Sequence, residues 1–270
     1  MKIIVMKTLR MIGMAFVAVF LCMACSSDDE ETKPNGPGGD KKGKKLIKLE
    51  VIQSDSRYEN NLYTFSYDEE NRVTSILEES SQYNEPYEIS GIAKTKWYTD
   101  SLKFTYTSPY LEIDATFILK NGLITKSTAI TDYSGTSNNS YPFTRNYTYN
   151  TLNQITGIGG DERTCSWNNG KITELHGYLD TKLEYENQTC KGYFPLYGDI
   201  WLLTENDFDM ALTFIAFANP EILGLRNNNL PWKTEDNYYG TVIWHYTLDK
   251  DGYVKDCRAS NGWHYSFEWE

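Results

Sequence analysis

The side chains best spaced for chemistry are two histidines and a cysteine near the end of the 270-residue chain. "WHY" occurs twice, at 244–246 and 263–265, with Cys257 between the copies. If Asp249 pairs with Tyr253 across the Asp251-Gly252 turn, His245 faces Cys257. If the next turn centres on Ser260-Asn261, Cys257 faces His264. Directly opposed residues on one sheet face stand roughly 5 Å apart, so His245, Cys257 and His264 would form a row able to hold Zn²⁺. A one-residue slip at either turn destroys the row and leaves polar-face residues beside a buried thiol. No other cofactor is implied. The third histidine, His176 in "ELHGY", reads as a solvated turn residue. The sequence holds no G-x-S-x-G, H-E-x-x-H, P-loop or dinucleotide fingerprint. Its 37 carboxylates make any chosen pair weak evidence for hydrolysis. The expectation is a protein that is not an enzyme.

Those residues need strands to position them, and the composition supplies strands. Twenty-one Tyr and seven Trp, interleaved with Thr and Ser, suit a pleated surface and not a helix. In "YTFSYD" the residues Tyr63, Phe65 and Tyr67 share one face, while Thr64, Ser66 and Asp68 share the other. "LKFTYT" and the terminal "WHYSFEW" alternate in the same way. Strict alternation means antiparallel strands with one buried and one wet face.

A unit recurs between those strands: "FSYDEENRVTSI" (65–76), "FILKNGLITKS" (117–127), "YTYNTLNQITGI" (147–158), "SWNNGKITEL" (166–175), "LEYENQTCKGY" (183–193) and "YTLDKDGYVKDC" (246–257). Each copy ends a strand on an aromatic or apolar residue, turns with Asn or Gly, then resumes on a β-branched residue, often followed by Thr. Asn and Gly supply the positive φ of tight hairpins. Turn positions 153, 170 and 187 fall 17 apart, so a hairpin is expected at each. The unit resembles YD-type repeats.

One stretch breaks the pattern. "TENDFDMALTFIAFANPEILG" (204–224) places Phe208, Leu212, Ile215 and Ala216 on one helical face, with Asn206 as N-cap, Asp207 and Asp209 in the first turn, and Pro220 limiting the end. The fold class is therefore all-β: a single antiparallel up-and-down meander forming a curled sheet or soluble barrel, with one helix over about 205–219 covering an opening. The strands are short and their second face is Thr, Ser, Lys and Glu, unlike the lipid-facing aliphatic surface of a membrane barrel.

The first residues give the address. Lys2, Lys7 and Arg10 precede the apolar run "MIGMAFVAVF", which is too short to span a bilayer. Small residues follow, up to Ala24. Cys25 behind them resembles the acylated cysteine of a bacterial lipobox, although Cys22 stands where such boxes carry Leu. "SSDDEE" behind Cys25 resembles the surface-export signal of Bacteroidetes lipoproteins. Residues 1–24 thus read as a lipoprotein signal peptide, 25–45 as the lipidated (palmitate-type) cysteine and a flexible Pro-, Gly- and Lys-rich tether, and 46–270 as the β-rich domain. Residues 1–24 hold three of the 26 basic residues and none of the 37 acidic ones, so the mature chain carries 23 against 37, or −14. That balance repels nucleic-acid phosphates and anionic headgroups. Three cysteines remain in the domain, an odd number that implies no disulfide framework.

The helix, the turn at Gly224, the stretch Asn229-Leu230-Pro231 and the strands running to Trp269 resemble a family of Bacteroidetes lipoproteins described as having a porin-like fold. The resemblance implies a fold and an envelope address, without a mechanism. The function expected is that of a surface-exposed outer-membrane lipoprotein acting as a non-catalytic binding module. Partners would be the outer membrane through the anchor, and glycans or envelope proteins, but no nucleic acid. Flat aromatic rings suit stacking on sugars, and Trp232, Tyr238 and Tyr239 are the candidate ligand contacts because packing does not demand aromatics in an irregular connection. A structural or assembly component without a small ligand is the alternative function. The periplasmic face of the same membrane is the alternative location.

Overall fold

The computed structural model describes residues 43–53, 60–81, 85–133, 141–159, 163–177, 180–191, 207–225, 229–238 and 240–270, without the side chains of 141, 207–210 and 217. Sixteen strands follow one another. The first eight are β1 (Leu46–Gln53), β2 (Asn60–Tyr67), β3 (Val73–Ser81), β4 (Glu88–Trp97), β5 (Ser101–Thr107), β6 (Leu111–Lys120), β7 (Leu123–Tyr133) and β8 (Tyr141–Tyr149). The rest are β9 (Ile155–Ile158), β10 (Arg163–Asn168), β11 (Lys171–His176), β12 (Thr181–Thr189), β13 (Asn229–Asp236), β14 (Gly240–Leu248), β15 (Val254–Ala259) and β16 (Trp263–Trp269). Each pairs antiparallel with its sequence neighbour, and β16 returns to β1, so the sheet closes into an up-and-down barrel. All sixteen strands and the helix described below lie within residues 46–270.

Alternation decides which side of the wall is dry. Along β6, Leu111, Ile113, Ala115, Phe117 and Leu119 are buried, while Glu112, Asp114, Ile118 and Lys120 are exposed. Along this strand every inward side chain is apolar, and the outward ones are polar apart from Ile118. A barrel that crosses a bilayer needs the reverse polarity.

The near rim, where β1 begins and β16 ends, carries the recurring turns. Asn71, Asn121, Asn153 and Asn169 there all hold positive φ. The turn expected at 187 does not form: Asn187 lies inside β12, which runs on to Thr189. Ahead of β1, Lys45 exchanges two backbone hydrogen bonds with Glu270 (2.6 and 2.9 Å), and the Lys44 ammonium bridges Asp249 (2.9 Å) and Asp251 (2.6 Å). The chain thus enters the barrel at the near rim.

The repeat has a mechanical meaning. Near this rim, seven odd-numbered strands carry one extra residue against the preceding strand: Ile47, Thr74, Thr125, Thr156, Thr173, Trp232 and Lys255. Such a bulge breaks the ladder locally. The carbonyl just before it accepts a hydrogen bond from an aromatic side chain on the following strand. Tyr67 Oη donates to Leu46 (2.8 Å), Tyr149 to Ile124 (2.6 Å), Tyr185 to Ile172 (2.8 Å) and Tyr246 to Pro231 (2.7 Å). Indole Nε1 atoms do the same from Trp97 to Val73 (2.8 Å), Trp167 to Ile155 (2.7 Å) and Trp269 to Val254 (2.7 Å). Among the described residues, β5 alone lacks such a bulge, and the strand after it carries Leu119 where the others have the aromatic. Bulge and aromatic are present together or absent together.

Burial pushes the Tyr67 and Tyr149 phenols well up, helped by the nearby charge of Glu221 for Tyr67, so both keep the proton they donate. Tyr149→Phe keeps the ring but orphans the Ile124 carbonyl, which should cost about 1–2 kcal/mol. Urea melts of Tyr149→Phe and Tyr185→Phe should show losses of that size that add in the double variant. Losses below about 0.3 kcal/mol would show that these bonds do not hold the rim.

A barrel of this many strands encloses more space than its own side chains can fill. The stretch between β12 and β13 occupies it. The expected helix is present as α1 (Asp207–Ala218), followed by a 3₁₀ turn (Pro220–Leu223). It goes further than covering an opening. Ala211, Leu212, Thr213, Phe214, Ile215, Ala216 and Ala218 are all at most 4 % exposed, so no described side chain of α1 forms a wet face. A helix buried on all its described sides belongs in an interior. Phe214 packs against Tyr63, Phe104 and Tyr106, which point inward from β2 and β5. The C-terminal end of the helix is stitched to the near rim, where the Asn219 side chain accepts from the Val73 N–H (3.0 Å). Asn206, and the side chains of Phe208 and Asp209, lie outside the described residues.

Candidate functional site

The expected zinc row is not assembled. The turn after β14 pairs Leu248 with Val254 as the sequence suggests, but the bulge at Lys255 then shifts the register by one, placing Tyr246 opposite Cys257 and His245 opposite Arg258. The next turn has three residues, with Gly262 at positive φ, so Cys257 faces Tyr265 and His264 faces Arg258. The two histidines therefore share the outer wall, while Cys257 points inward and is fully buried. Burial, with the charge of Asp256, pushes its thiol well above the ordinary range. His264 Nε2 hydrogen-bonds Asp256 instead. Among the described residues no three His, Cys, Asp or Glu side chains gather as a metal site requires.

The aromatic candidates separate as well. Trp232 is the half-buried bulge residue of β13 near the near rim. Tyr238 is 68 % exposed in the β13–β14 turn at the far rim. The strand from Trp232 to Asp236 alone spans roughly 13 Å, so the two rings do not form one platform. Tyr239 lies outside the described residues.

The far rim also holds a concavity that the sequence did not single out, lined up to Asn237, the residue before Tyr238. The end of β11, the start of β12 and the β13–β14 turn enclose about 260 Å³ between Glu174, His176, Asp180, Lys182, Glu235 and Asn237. Thr181 and Asp236 form its inner side. The turn is shaped by Asp236, whose Oδ1 accepts the Tyr238 N–H at 2.8 Å. His176, exposed as expected, stands between two carboxylates, with Nδ1 3.4 Å from Asp180 and Nε2 3.6 Å from Glu174. The Thr181 hydroxyl, fully buried, has no hydrogen-bond partner among the described residues. Carboxylates, an imidazole and an amide can accept from and donate to a polyol, and the exposed Tyr238 ring on the same turn offers a face for stacking. Only the register of β11, β12 and β13 brings these residues together, so no motif in the sequence announces them.

Inside the barrel, Glu78 is 1 % exposed. Tyr106 Oη donates to one carboxylate oxygen at 2.5 Å and Tyr63 Oη to the other at 3.3 Å. Gly91 makes room: a Cβ there would stand 2.2 Å from the Tyr106 hydroxyl. This group lies buried in the core, where it braces the lumen.

No family model matches the chain, and no curated protein matches it. Solved structures do. The chain is similar to a porin-like protein from Bacteroides uniformis ATCC 8492, with 16 % identity and a TM-score of 0.57 over 83 % of this chain and 98 % of that one. A porin-like protein from Bacteroides vulgatus ATCC 8482 aligns over the same shares with 9 % identity and a TM-score of 0.30. The first likeness shows a common barrel fold and agrees with the porin-like resemblance of the C-terminal quarter.

Proposed function

We propose that this chain is an outer-membrane lipoprotein, acylated at Cys25, whose filled barrel is a non-catalytic module that binds glycans at its far rim. The observation that carries the reading is polarity. A charged outer wall and a lumen occupied by α1 suit neither spanning a bilayer nor conducting through the centre, which leaves the rims for recognition. The porin-like neighbour from Bacteroides supports an envelope address. The acidic stretch behind Cys25 supports the cell-surface face. A tether that enters at the near rim turns the far rim, with Tyr238 and the Glu174–Asn237 concavity, away from the anchor. Tyr238 is the leading contact, Tyr239 follows it in sequence, and Trp232 is a separate contact on the wall.

A glycan array probed with the chain from Ser26 onward tests this. Binding that falls about tenfold in Tyr238→Ala, equivalent to one lost ring-stacking contact of about 1.4 kcal/mol, is the expected result. An array silent for both proteins would favour a structural component of the envelope without a small ligand.

A further inference from the structure

The chain as a whole is strongly acidic, yet one sector of its wall is not. Lys94 and Lys96 on β4, Lys103 on β5, Lys120 on β6 and Lys126 on β7 are all exposed. All five lie in the near-rim halves of four adjacent strands. Among the described residues none of the five forms an ion pair, whereas Lys44 and Lys233 each hold two carboxylates. Lys96 stands directly opposite Lys103 across the β4–β5 ladder. Like charges at that position repel and weaken the pairing. Two carboxylates border the cluster without pairing to it: Asp100 accepts the Ser101 hydroxyl (3.3 Å), and Asp114 lies beyond Thr105 in the row of Lys94.

Apolar groups surface within the same cluster. Ile118, 43 % exposed, faces Lys126 on one side and Ser101 on the other. Tyr98, 41 % exposed, carries the Lys96 ammonium 5.4 Å above its ring. Lysines interspersed with an exposed tyrosine and isoleucine match the headgroup boundary of a bilayer, where cations meet phosphates and amphipathic rings sit shallowly. Charges beyond about 8 Å are screened at physiological salt, so the acidic remainder of the barrel does not cancel the attraction at contact.

We infer that this near-rim wall docks onto an anionic lipid surface. The inference deepens the lipoprotein reading and rests on it for its setting. The tether joins the barrel at this same rim, and the 19 residues from Cys25 to Gly43 reach at most roughly 65 Å.

Vesicle co-sedimentation of the chain from Ser26 removes leader and acyl site, and a wall variant then separates the wall from the Lys-rich tether. The chain from Ser26 should bind phosphatidylcholine vesicles containing about 30 % phosphatidylglycerol, not pure phosphatidylcholine, and lose about fivefold in affinity per lysine removed. The triple variant Lys96→Ala/Lys103→Ala/Lys126→Ala should therefore bind about a hundredfold more weakly while melting no lower than the parent. Equal binding by parent and triple variant, or none by either, overturns the inference. Binding to heparin without binding to vesicles also overturns it, assigning the patch to a soluble polyanion. Fatty-acid labelling of the full chain against Cys25→Ser reads the anchor separately: label that is lost in the variant keeps the lipoprotein reading even where the vesicles are not bound.

Discussion

Phe214→Ala should destabilise the barrel by about 3–5 kcal/mol and lower its melting temperature by roughly 6–20 °C. The ring is 3 % exposed and lies 5.8 to 6.1 Å, centre to centre, from Tyr63, Phe104 and Tyr106. Truncation opens a cavity where α1 meets the inner face of β2 and β5. Two of the three neighbours also hold the buried Glu78 carboxylate, so slack in their rings loosens its hydrogen bonds too. Leu212→Ala, at a position fully buried in the same helix, should cost about 2–5 kcal/mol. Thr128→Ala on the exposed wall should change stability by less than about 0.5 kcal/mol. Circular dichroism melts of residues 46–270 in buffer without detergent give all three numbers. A Phe214 loss as small as that of Thr128 would mean that the helix is not part of the core.

The strand type, the single meander and the position of the helix were legible because each rests on a local pattern. Alternation around Phe65 or Phe117 requires only that one face be dry. The recurring unit was legible as well, and each of its positions serves a physical purpose. The aromatic donates a hydrogen bond, Asn takes positive φ, the β-branched residue fills the core, and Thr bulges out of the ladder. The bulge itself could not be read. A Thr at 74, 125, 156 or 173 looks like any strand residue, and the extra residue appears only when two strands are paired. That hidden residue, Lys255 in the last copy, moved Cys257 to the opposite side of the wall from the histidines. Asn187 misled for a related reason. Its spacing repeated the earlier turns, but β12 does not lead into a hairpin; it leads into the segment that fills the lumen. The named helix face, Leu212, Ile215 and Ala216, is buried, but so are the other described sides, because a closed sixteen-stranded wall surrounds the helix and nothing near 207–218 in sequence tells of that wall. The far-rim concavity and the lysine sector share this origin, since each gathers residues from three or more strands.

Gly224→Ala tests how the filling segment is locked, and it should cost more than about 3 kcal/mol. Gly224 ends the 3₁₀ turn in the left-handed region, with φ 64° and ψ 21°, a conformation that costs an alanine about 1–2 kcal/mol by itself. Its surroundings add a second penalty. A Cβ would stand 2.2 Å from the carbonyl oxygen of Asn153 and 3.1 Å from both the Ile155 amide nitrogen and Tyr149 Cε1. Two of these contacts are backbone, in a turn already bound by its own hydrogen bonds, and the third belongs to a tyrosine that holds the Ile124 carbonyl. The segment could yield only by withdrawing from the β8–β9 turn. Gly170→Ala provides the control, because Gly170 has φ 73° but nothing within 4 Å of its absent Cβ. It should lose only the conformational share, about 1–2 kcal/mol. Equal losses at the two glycines would mean that the filling segment does not press on the near rim, and that Asn219 alone ties it there.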